Sequence, residues 1–474
     1  EPISVSWDFN GAATPETSNE VNPTVTLGAP GIYHSAILHL SNRWAIVSIY
    51  FTIKVCGVPS ALTVGYQWTY ATIEAAYADA VEGDTIEVYR QLNNEPYSQT
   101  AVLLQKPNLT IIGINPSGDG RIAIDGAGYE YSGAGNVPRA VFQFSPEASG
   151  CTISNFEIYE AHNTSYNGAG FRINQANNVT ISNCEIRNCD MGIMSNGNVG
   201  QAVNQQIINC KIHHNGNLSD PGYNHNLYLG GTSVMVKGCE IYSSLTGHNY
   251  KSRARYNLVE GCYIHDSANR EFDIVDDANQ TPTPGADAVI IGSVIAKDPL
   301  CPGNRNTIHY GQDIGGTRAG TLYIINCTIA TPFFTPVVDL NSAGTDVQYY
   351  NTLLYDMDST QQTALVTWNF GGPAPLTYSS TAATAYFTLT QAVFDRGSLI
   401  AFTAPLWPPA DWLYTAPATP WVANPGADIT GLTLLTGSGL PDAITDFCEY
   451  TYPLGTSPRT DIATPDIGAF QATG

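Results

Sequence analysis

The segment "GHNYKSRARYN", residues 247–257, places three cations in alternation just after a histidine. Lys251, Arg253 and Arg255 stand close together in a chain that has only 19 Lys and Arg against 41 Asp and Glu. In a β-strand, alternate side chains point to the same face and lie about 7 Å apart. The spacing therefore predicts a local cation patch that holds an anionic ligand at one place.

The overall charge and composition exclude several kinds of partner. A formal charge of −22 repels nucleic acids and anionic membranes, so neither is an expected partner. The apolar run at 45–61 is interrupted by Lys54 and alternates with polar residues, which predicts a half-buried strand and no membrane span. Few lysines with abundant Thr, Asn and Tyr are typical of secreted or cell-surface proteins, and we expect that location here.

A six-residue pattern recurs through the middle of the chain, with an apolar residue at each end and Asn or Gly third. The copies are "ISNFEI" (153–158), "ISNCEI" (181–186), "IINCKI" (207–212), "VKGCEI" (236–241), "VEGCYI" (259–264), "IIGSVI" (290–295) and "IINCTI" (324–329). Asn and Gly tolerate a left-handed backbone, so each copy predicts two short strands meeting at a bend. Stacked bends of this kind indicate an all-β, right-handed parallel β-helix, a solenoid of coils about 4.8 Å apart.

The β-helix is predicted over residues 59–400. An amphipathic helix within 69–89 is expected to cap its open end, which otherwise exposes core and unpaired backbone. Residues 401–474 form a Pro-rich tail expected to pack on the coils or cap them. One inward position of the repeat is usually cysteine, which predicts a column of buried thiols without disulfide bonds: Cys184, Cys210, Cys239, Cys262 and Cys327.

Residues 1–58 differ from the rest of the chain. "SWDFNG" (6–11), "PGIY" (30–33), "ILHLSN" (37–42) and "FTIKV" (51–55) resemble the later strands of the polycystic-kidney-disease (PKD) domain, an immunoglobulin-like β-sandwich. The resemblance implies a partial sandwich, because the sequence begins at the Trp-Asp-Phe strand. Either the sequence is a fragment or processed chain, or an extended segment of another chain fills the open edge and permits self-association.

Aligning the strands that follow each repeat by their inward apolar residues predicts which side chains share the outer face. The central outward column contains Arg172, Met194, Tyr228, Lys251, Val275 and His309. The flanking columns contain Asn226, Asn249, Asp273 and Thr307 on one side, and Asn174, Asn196, Gly230, Arg253 and Asp277 on the other. Asp276 has inward parity, and as a buried carboxylate it must bind backbone groups or a cation.

The face also has a purely structural interpretation. Lys251 with Asp273, and Arg253 with Asp277, are then exposed ion pairs between adjacent coils, each contributing about 0–1 kcal/mol. The functional interpretation treats the same face as a binding site for an anionic ligand. Its predicted substrate-binding residues are Arg172, Asn226, His248, Asn249 and Arg255.

The segments "GYNHNLYLGG" (222–231) and "GHNYKSRA" (247–254), together with the repeats, resemble right-handed β-helix proteins of the pectate-lyase-like superfamily over about residues 62–400. The resemblance implies cleavage of a uronic-acid-containing polysaccharide by β-elimination. Lys251 is then the base, Arg253 neutralises the substrate carboxylate, and Tyr228 or His309 donates the proton. Asp273 and Asp277 either position Lys251 or bind Ca²⁺.

Two alternatives remain beside the lyase. A glycoside hydrolase ranks lower, because in polygalacturonase-like enzymes the Asp pair precedes the Gly-His motif, whereas here "GHN" comes before "FDIVDD". A non-catalytic extracellular structural or adhesive protein is the other alternative. It includes a filament subunit whose incomplete sandwich is completed by strand donation, and the superfamily fold alone does not decide between these functions.

Overall fold

The structure is a computed structural model. It describes residues 3–27, 31–55, 62–331 apart from 117 and 119, 337–356, 366–368, 376–379, 381–384, 399–402, 428–445, 447–451, 454–459 and 469. The chain divides into two compact units, residues 1–63 and 64–474. The division lies within five residues of the boundary expected at 58/59.

The first unit is antiparallel. Its strands are Ser4–Asp8, Ala13–Thr14, Thr17–Ser18, Thr26–Leu27, Gly31–Ser41 and Ile46–Val55. Ile46–Val55 lies at the edge of the four-stranded sheet, paired among the described residues with Gly31–Ser41 alone. The strand was expected to be half-buried, but Ile46 and Val47, which point to opposite faces, are 71% and 56% exposed. The edge is therefore apolar on both faces at its start.

The second unit consists of three long parallel sheets. The site sheet, which carries the predicted cation patch, runs in chain order through Val102–Leu104, Ala140–Phe144, Ala169–Asn174, Met191–Asn196, Leu227–Leu229, Tyr250–Ser252, Phe272–Val275, Ile308–Gly311, Val338–Leu340 and Val366–Trp368. Each strand pairs with the next coil in parallel.

Two further sheets complete each coil. The second sheet contains Thr63–Val64, Thr85–Tyr89, Thr110–Ile114, Thr152–Ser154, Thr180–Ser182, Gln205–Ile208, Ser233–Lys237, Tyr256–Glu260, Ala288–Ile291, Gly320–Ile325, Thr345–Tyr350 and Leu376–Ser379. The third contains Tyr97–Ser98, Ile122–Asp125, Phe156–Tyr159, Glu185–Arg187, Lys211–His213, Glu240–Tyr242, Tyr263–His265, Val294–Ala296, Thr328–Thr331, Leu353–Asp356, Thr381–Thr384 and Leu399–Phe402. The parallel β-helix predicted from the repeats is confirmed.

The bends between the second and third sheets are the third positions of the repeats. All seven have a left-handed backbone, with φ between 47° and 68°, as their Asn or Gly predicted: Asn155, Asn183, Asn209, Gly238, Gly261, Gly292 and Asn326. The predicted thiol column is also present, since its five cysteines are fully buried and free. Two backbone N–H groups bond to the sulfur of the next coil, Cys210 to Cys239 and Cys239 to Cys262, at 3.3 and 3.5 Å.

The coils are covered at one end and along one side. The expected helix spans Ile73–Asp79; Thr72 caps its N-terminus, and Ile73 and Ala76 are buried. The described part of the tail forms an antiparallel hairpin of strands Cys448–Tyr450 and Thr456–Pro458. Short 3₁₀ segments occur earlier, at Leu92–Asn94 and Pro146–Ala148.

Part of the tail packs against the second sheet. Ile429, Ile444 and Phe447 form a buried cluster with side chains of that sheet, including Leu258 and Val289. These two residues alternate with the inward-facing side chains, so they lie on the outer face, which the tail shields from water. Among the described residues, no helix is both long and apolar enough to cross a membrane.

Candidate functional site

The strand pairing of the site sheet corrects the predicted columns at one coil. Lys251 pairs with Asp273, and Asp273 pairs with His309, so Asp273 occupies the central outward position that had been assigned to Val275. The prediction was wrong by two residues. Phe272 and Ile274 are both apolar and both point inward, so aligning on Ile274 satisfied the same pattern while shifting the strand along its own axis.

Asp273 is the centre of the charge cluster on this face. Its carboxylate is 2% exposed and accepts a 2.6 Å bond from Lys251 Nζ and a 2.7 Å bond from His309 Nδ1. Arg270 Nη1 lies 3.3 Å away and His248 Nε2 3.4 Å away. Burial opposes ionisation, but the hydrogen bond from His309 Nδ1 and the positive charge of Lys251 hold the pKa of Asp273 well below its usual range. Asp273 is therefore ionised, and His309 Nδ1 donates to it.

Lys251 and Arg253 together hold a second carboxylate, that of Asp313. Asp313 Oδ2 accepts a 3.0 Å bond from Lys251 Nζ and a bond from Arg253 Nη2. The Asp313 side chain is 37% exposed, so this carboxylate lies at the solvent side of the cation pair. We call Lys251 and Arg253 the carboxylate clamp.

The charge state of Lys251 follows from these contacts. Burial alone lowers the pKa of a lysine, but the carboxylates of Asp273 and Asp313 reverse that effect and raise the pKa of Lys251 above its ordinary value. Lys251 is therefore an ammonium group at neutral pH. In that state it can neutralise an anion or donate a proton, which does not favour the role of base that the superfamily resemblance implied.

Asp276 fixes the loop that carries Asp313. Its fully buried carboxylate accepts backbone N–H bonds from Asp313 at 2.6 Å, Ile314 at 3.1 Å and Gly316 at 2.6 Å. The backbone carbonyl of Asp276 accepts a 2.6 Å bond from Arg253. The expectation that Asp276 binds backbone groups is confirmed, and the residue positions the clamp and its carboxylate relative to each other.

His225 and His248 stack beneath this network. Their ring centroids are 5.1 Å apart at an interplanar angle of 11°, and His225 also contacts Tyr228 edge-on. Nδ1 of His225 accepts the His248 N–H, and Nδ1 of His248 accepts the Arg270 N–H. Burial lowers the pKa of His248 to about 3 and that of His225 well below its usual range, so both rings are neutral. His248, predicted to bind substrate, is 5% exposed and instead supports Asp273.

His309 is the imidazole with an unused nitrogen. Its Nδ1 proton is directed to Asp273, and its Nε2 has no hydrogen-bond partner among the described residues. An ionised carboxylate at Nδ1 fixes the tautomer whose Nε2 carries a lone pair, the arrangement of a general base. The residue is 4% exposed, so a sugar must displace neighbouring groups before it reaches this nitrogen.

A pocket of about 180 Å³ adjoins the clamp on the N-terminal side of the coil stack. Its lining includes Tyr228, Arg253, Met194 and Asp277. Arg253 Nε donates a 3.0 Å bond to Tyr228 Oη, so the guanidinium joins the pocket to the clamp. An aromatic ring beside a fixed cation is suited to one unit of an acidic sugar chain.

Two predicted substrate-binding residues lie inside the coils and not on the outer face. Asn226 and Asn249 are fully buried and linked in a ladder: Asn226 Nδ2 donates to Asn249 Oδ1 at 2.8 Å, and Asn249 Nδ2 donates to Glu271 Oε2 at 2.6 Å. Their assignment to an outward column is wrong, because the chain has already turned inward at the strand entrance. Their amides satisfy buried backbone groups, including the carbonyls of Tyr242 and His265.

Arg172 and Arg255 lie apart from the clamp. Arg172 is in the same outward column, two coils before Tyr228, and donates to Asn174 Oδ1 at 3.1 Å. Arg255 donates instead to the carbonyls of Gln280 and Pro284 at 2.6 and 2.8 Å, so it fastens a loop and does not join the patch. The three cations of the opening segment therefore divide into a pair that forms the clamp and one with a structural role.

The calcium site expected at Asp273 and Asp277 does not fit the donor groups present. Both Asp273 oxygens already accept bonds from Lys251 and His309, while Asp277 Oδ1 accepts the N–H groups of Asn279 and Gln280. A divalent cation at Asp273 would lie against an ammonium group. Among the described residues, no group of three or more His, Cys, Asp or Glu is arranged to bind a metal ion.

Two contributors to the site, Asp313 and Arg270, were not predicted from the sequence. Asp313 belongs to the loop "GQDIGG" (311–316). The alternation of side chains in a strand does not apply to a loop, so it gave no prediction of where Asp313 lies. Arg270 precedes its strand and spans three coils, with contacts to Asp273 and Asn306 and a 3.9 Å approach to Asp339. The one available signal was composition: in so acidic a chain, each Arg near the patch was a candidate.

The chain is distantly similar to two solved structures and matches one family model over part of its length. Two crystal structures of DFA-IIIase from Arthrobacter chlorophenolicus A6, in complex with GF2 and with DFA-III, are 13% identical to this chain, with TM-scores of 0.37 and 0.36. Each covers 73% of this chain and 99% of its own. No curated protein matches the sequence. Residues 143–283 match the family model described as "Right handed beta helix region", and with the three parallel sheets this match shows a right-handed parallel β-helix.

Proposed function

We propose that this chain is an extracellular polysaccharide lyase that binds a uronic-acid-containing polysaccharide at the carboxylate clamp. The observation that carries the proposal is the position of Asp313. One carboxylate oxygen, partly open to solvent, is bonded by Lys251 and Arg253 together. The carboxylate of a uronate is chemically the same group, so Asp313 occupies the position that a substrate carboxylate takes when it displaces the side chain.

The electrostatics favour β-elimination in which His309 is the base and Lys251 is the proton donor, the reverse of the roles expected from the sequence. His309 removes the C5 proton through Nε2, and Arg253 and Lys251 neutralise the charge that develops on the C6 carboxylate. The C4–O4 bond then breaks, the C4=C5 double bond forms, and O4 takes a proton from the Lys251 ammonium group. Lys251 and His309 contact the same Asp273 carboxylate, so both reach one linkage.

Tyr228 is less suitable as the proton donor in this scheme. Three coils separate Tyr228 from His309 in the outward column, which is about 14 Å at the spacing of parallel strands. The C5 proton and O4 belong to one sugar ring, so an acid and a base that far apart do not serve the same linkage. Tyr228 instead binds a neighbouring sugar in the pocket.

Hydrolysis is not favoured by the carboxylates of this face. A glycoside hydrolase needs one carboxylic acid that stays protonated near neutral pH. Burial favours protonation of Asp273 and Asp313, but the adjacent cations and hydrogen-bond donors dominate, and the pKa of each is lowered. Both carboxylates are therefore ionised, which suits a site that recognises and orients charge.

The test is the appearance of unsaturated product, followed by absorbance near 235 nm, on alginate, pectate and chondroitin with and without EDTA. We expect activity on one of these polymers that EDTA leaves unchanged. The variant His309→Gln should abolish it, Tyr228→Phe should retain most of it, and His39→Gln, a histidine of the N-terminal unit, should match the wild type. No product with any of the three polymers would refute the lyase.

Binding separates the clamp from the catalytic step. The variant Asp313→Asn removes the internal carboxylate, so we expect hexauronate to bind at least fivefold more tightly, as measured by isothermal titration calorimetry. Arg253→Met should weaken binding by a similar factor or more. An unchanged affinity in Asp313→Asn would show that substrate does not use the clamp, whatever the activity assay gives.

A structural role is the second candidate, and the edge strand Ile46–Val55 supports it. Trp44, Ile46, Val47 and Tyr50 are all more than half exposed along this edge. An unpaired apolar edge is a template for an added strand, which fits a subunit completed by strand donation. Concentration-dependent assemblies seen by electron microscopy, lost when Val47 and Ile49 are both replaced by Lys, would support this role. A monomer at all concentrations in light scattering would contradict it.

A further inference from the structure

A second cleft, of about 370 Å³, opens on the N-terminal coils away from the clamp. It lies between the loop before strand Ala140–Phe144 and the loop before strand Ala169–Asn174. Its lining residues are Gly128, Tyr129, Glu130, His162, Asn163 and Thr164. None of them belongs to the clamp or to the pocket beside Tyr228.

A buried carboxylate fixes one wall of this cleft. Asp190 is fully buried and accepts four bonds: from His162 Nδ1 at 2.8 Å, Asn217 Nδ2 at 2.8 Å, the Asn163 N–H at 2.9 Å and the Gly168 N–H at 3.0 Å. Every one of these partners is held by the same side chain. The His162 ring therefore has one orientation, although 44% of its side chain is exposed.

The His162 ring presents its second nitrogen on the side away from Asp190. Nε2 lies 3.3 Å from Glu160 Oε2, whose side chain is 40% exposed, so this hydrogen bond is open to competition from a ligand. A polar side chain whose orientation is fixed by a buried partner is preorganised to orient a polar ligand.

The opposite wall combines an aromatic ring with a carboxylate. Tyr129 packs against the buried Tyr131, with ring centroids 4.8 Å apart. Glu130 uses Oε1 to accept both the N–H and the hydroxyl of Thr164, at 2.9 and 3.0 Å. Glu130 is exposed, so its carboxylate can also accept from a ligand hydroxyl.

We propose that this cleft binds a neutral, hydroxyl-rich sugar residue. An aromatic ring packs on the apolar C–H face of a pyranose, and a carboxylate with an imidazole nitrogen takes the hydroxyl groups. The exposed carboxylates of Glu130 and Glu160 repel a uronate, which separates the ligand class of this cleft from that of the clamp. The proposal does not rest on the lyase activity or on the clamp.

The test is calorimetric titration of the full chain with neutral hexasaccharides (maltohexaose, cellohexaose, mannohexaose and xylohexaose) and with hexamannuronate. We expect at least one neutral probe to bind with a Kd on the order of 1 mM or below. Tyr129→Ala and Glu130→Gln should each weaken it at least fivefold, with unchanged far-UV circular dichroism. Lys251→Met should leave it unchanged, and Tyr50→Ala in the N-terminal unit is the matched aromatic control.

Four results would overturn the proposal. The first is a Kd above about 10 mM for every neutral probe, which corresponds to weak contact only. The second is binding that survives both cleft variants. The third is loss of hexamannuronate affinity in Tyr129→Ala, which would place the acidic sugar in this cleft. The fourth is loss of neutral-sugar binding in Lys251→Met, which would mean that the clamp is the site for both ligands.

Discussion

Replacing Asp273 with Asn tests whether the charge cluster is a buried network or a set of surface ion pairs. If the pairs were exposed, as one sequence-based interpretation held, each would contribute about 0–1 kcal/mol. The structure instead places Asp273 at 2% exposure, with Lys251 and His309 bonded to its two oxygens. Removing one partner from a buried pair leaves an uncompensated charge and costs about 3–5 kcal/mol. We expect Asp273→Asn to lower the free energy of unfolding by that amount.

The assay is urea unfolding at pH 7, followed by tryptophan fluorescence and far-UV circular dichroism, with a double-mutant cycle. Asp273→Asn leaves the Lys251 charge without its main partner, and Lys251→Met removes that charge. The double variant should therefore be more stable than the sum of the single losses predicts. Asp220→Asn, an aspartate outside the cluster, should stay within about 0.5 kcal/mol of the wild type. A loss below about 1 kcal/mol for Asp273→Asn, or strict additivity with Lys251→Met, would refute a buried, coupled network.

The same variant has a defined pH dependence. The folded-state pKa of Asp273 lies well below the ordinary 3.8, so its stabilising contribution is present above pH 3.8 and is lost as the pH falls through the folded value. The difference in stability between wild type and Asp273→Asn should therefore be constant from about pH 5 to 7 and shrink under acid. A difference that grows on acidification contradicts the assignment of an ionised Asp273.

Three further predictions concern the interior of the coils. Burial raises the pKa of Glu271 to about 7 from 4.5, so its contribution to stability is full below pH 4.5 and is lost as the pH rises through 7. The free energies of unfolding at pH 5 and pH 8, from urea titrations, should therefore differ by up to about 3 kcal/mol, and Glu271→Gln should reduce the difference. Asn226→Ala leaves its ladder partners unsatisfied and should cost about 2 kcal/mol or more by the same urea measurement, whereas Asn198→Ala in a loop should not. The thiols of the cysteine column should stay unreactive toward a thiol-specific disulfide reagent until urea unfolds the chain, and fast native labelling of any of them would contradict a sealed column: Cys184, Cys210, Cys239, Cys262 and Cys327.

The coil geometry was predictable because each bend depends on one local choice. Asn and Gly adopt a left-handed backbone at low cost, as Asn183 and Gly238 do here. The apolar residues on either side then point inward by alternation. Local preference and long-range stacking therefore agree at these positions. The same agreement made the capping helix and the buried thiols visible in the sequence.

The columns of the site sheet were predictable only in part. Lys251 and His309 were placed on the outer face correctly, since parity decides inside from outside. Asp273 was placed in a flanking column, because a strand shifted by two residues keeps the same parity and the same apolar pattern. Only pairing with the coils on both sides distinguishes the two registers.

The sequence by itself determined that this chain stacks repeated coils and that an acidic protein gathers cations on one outer face, since both depend on patterns within single strands. Tertiary structure alone decided that Asp273 lies between Lys251 and His309, that Asn226 and Asn249 turn inward, and that Asp313 reaches the clamp from a loop. The physical reason is that hydrogen bonds between coils set the register, and loops of unequal length bring together side chains whose spacing along the chain has no period.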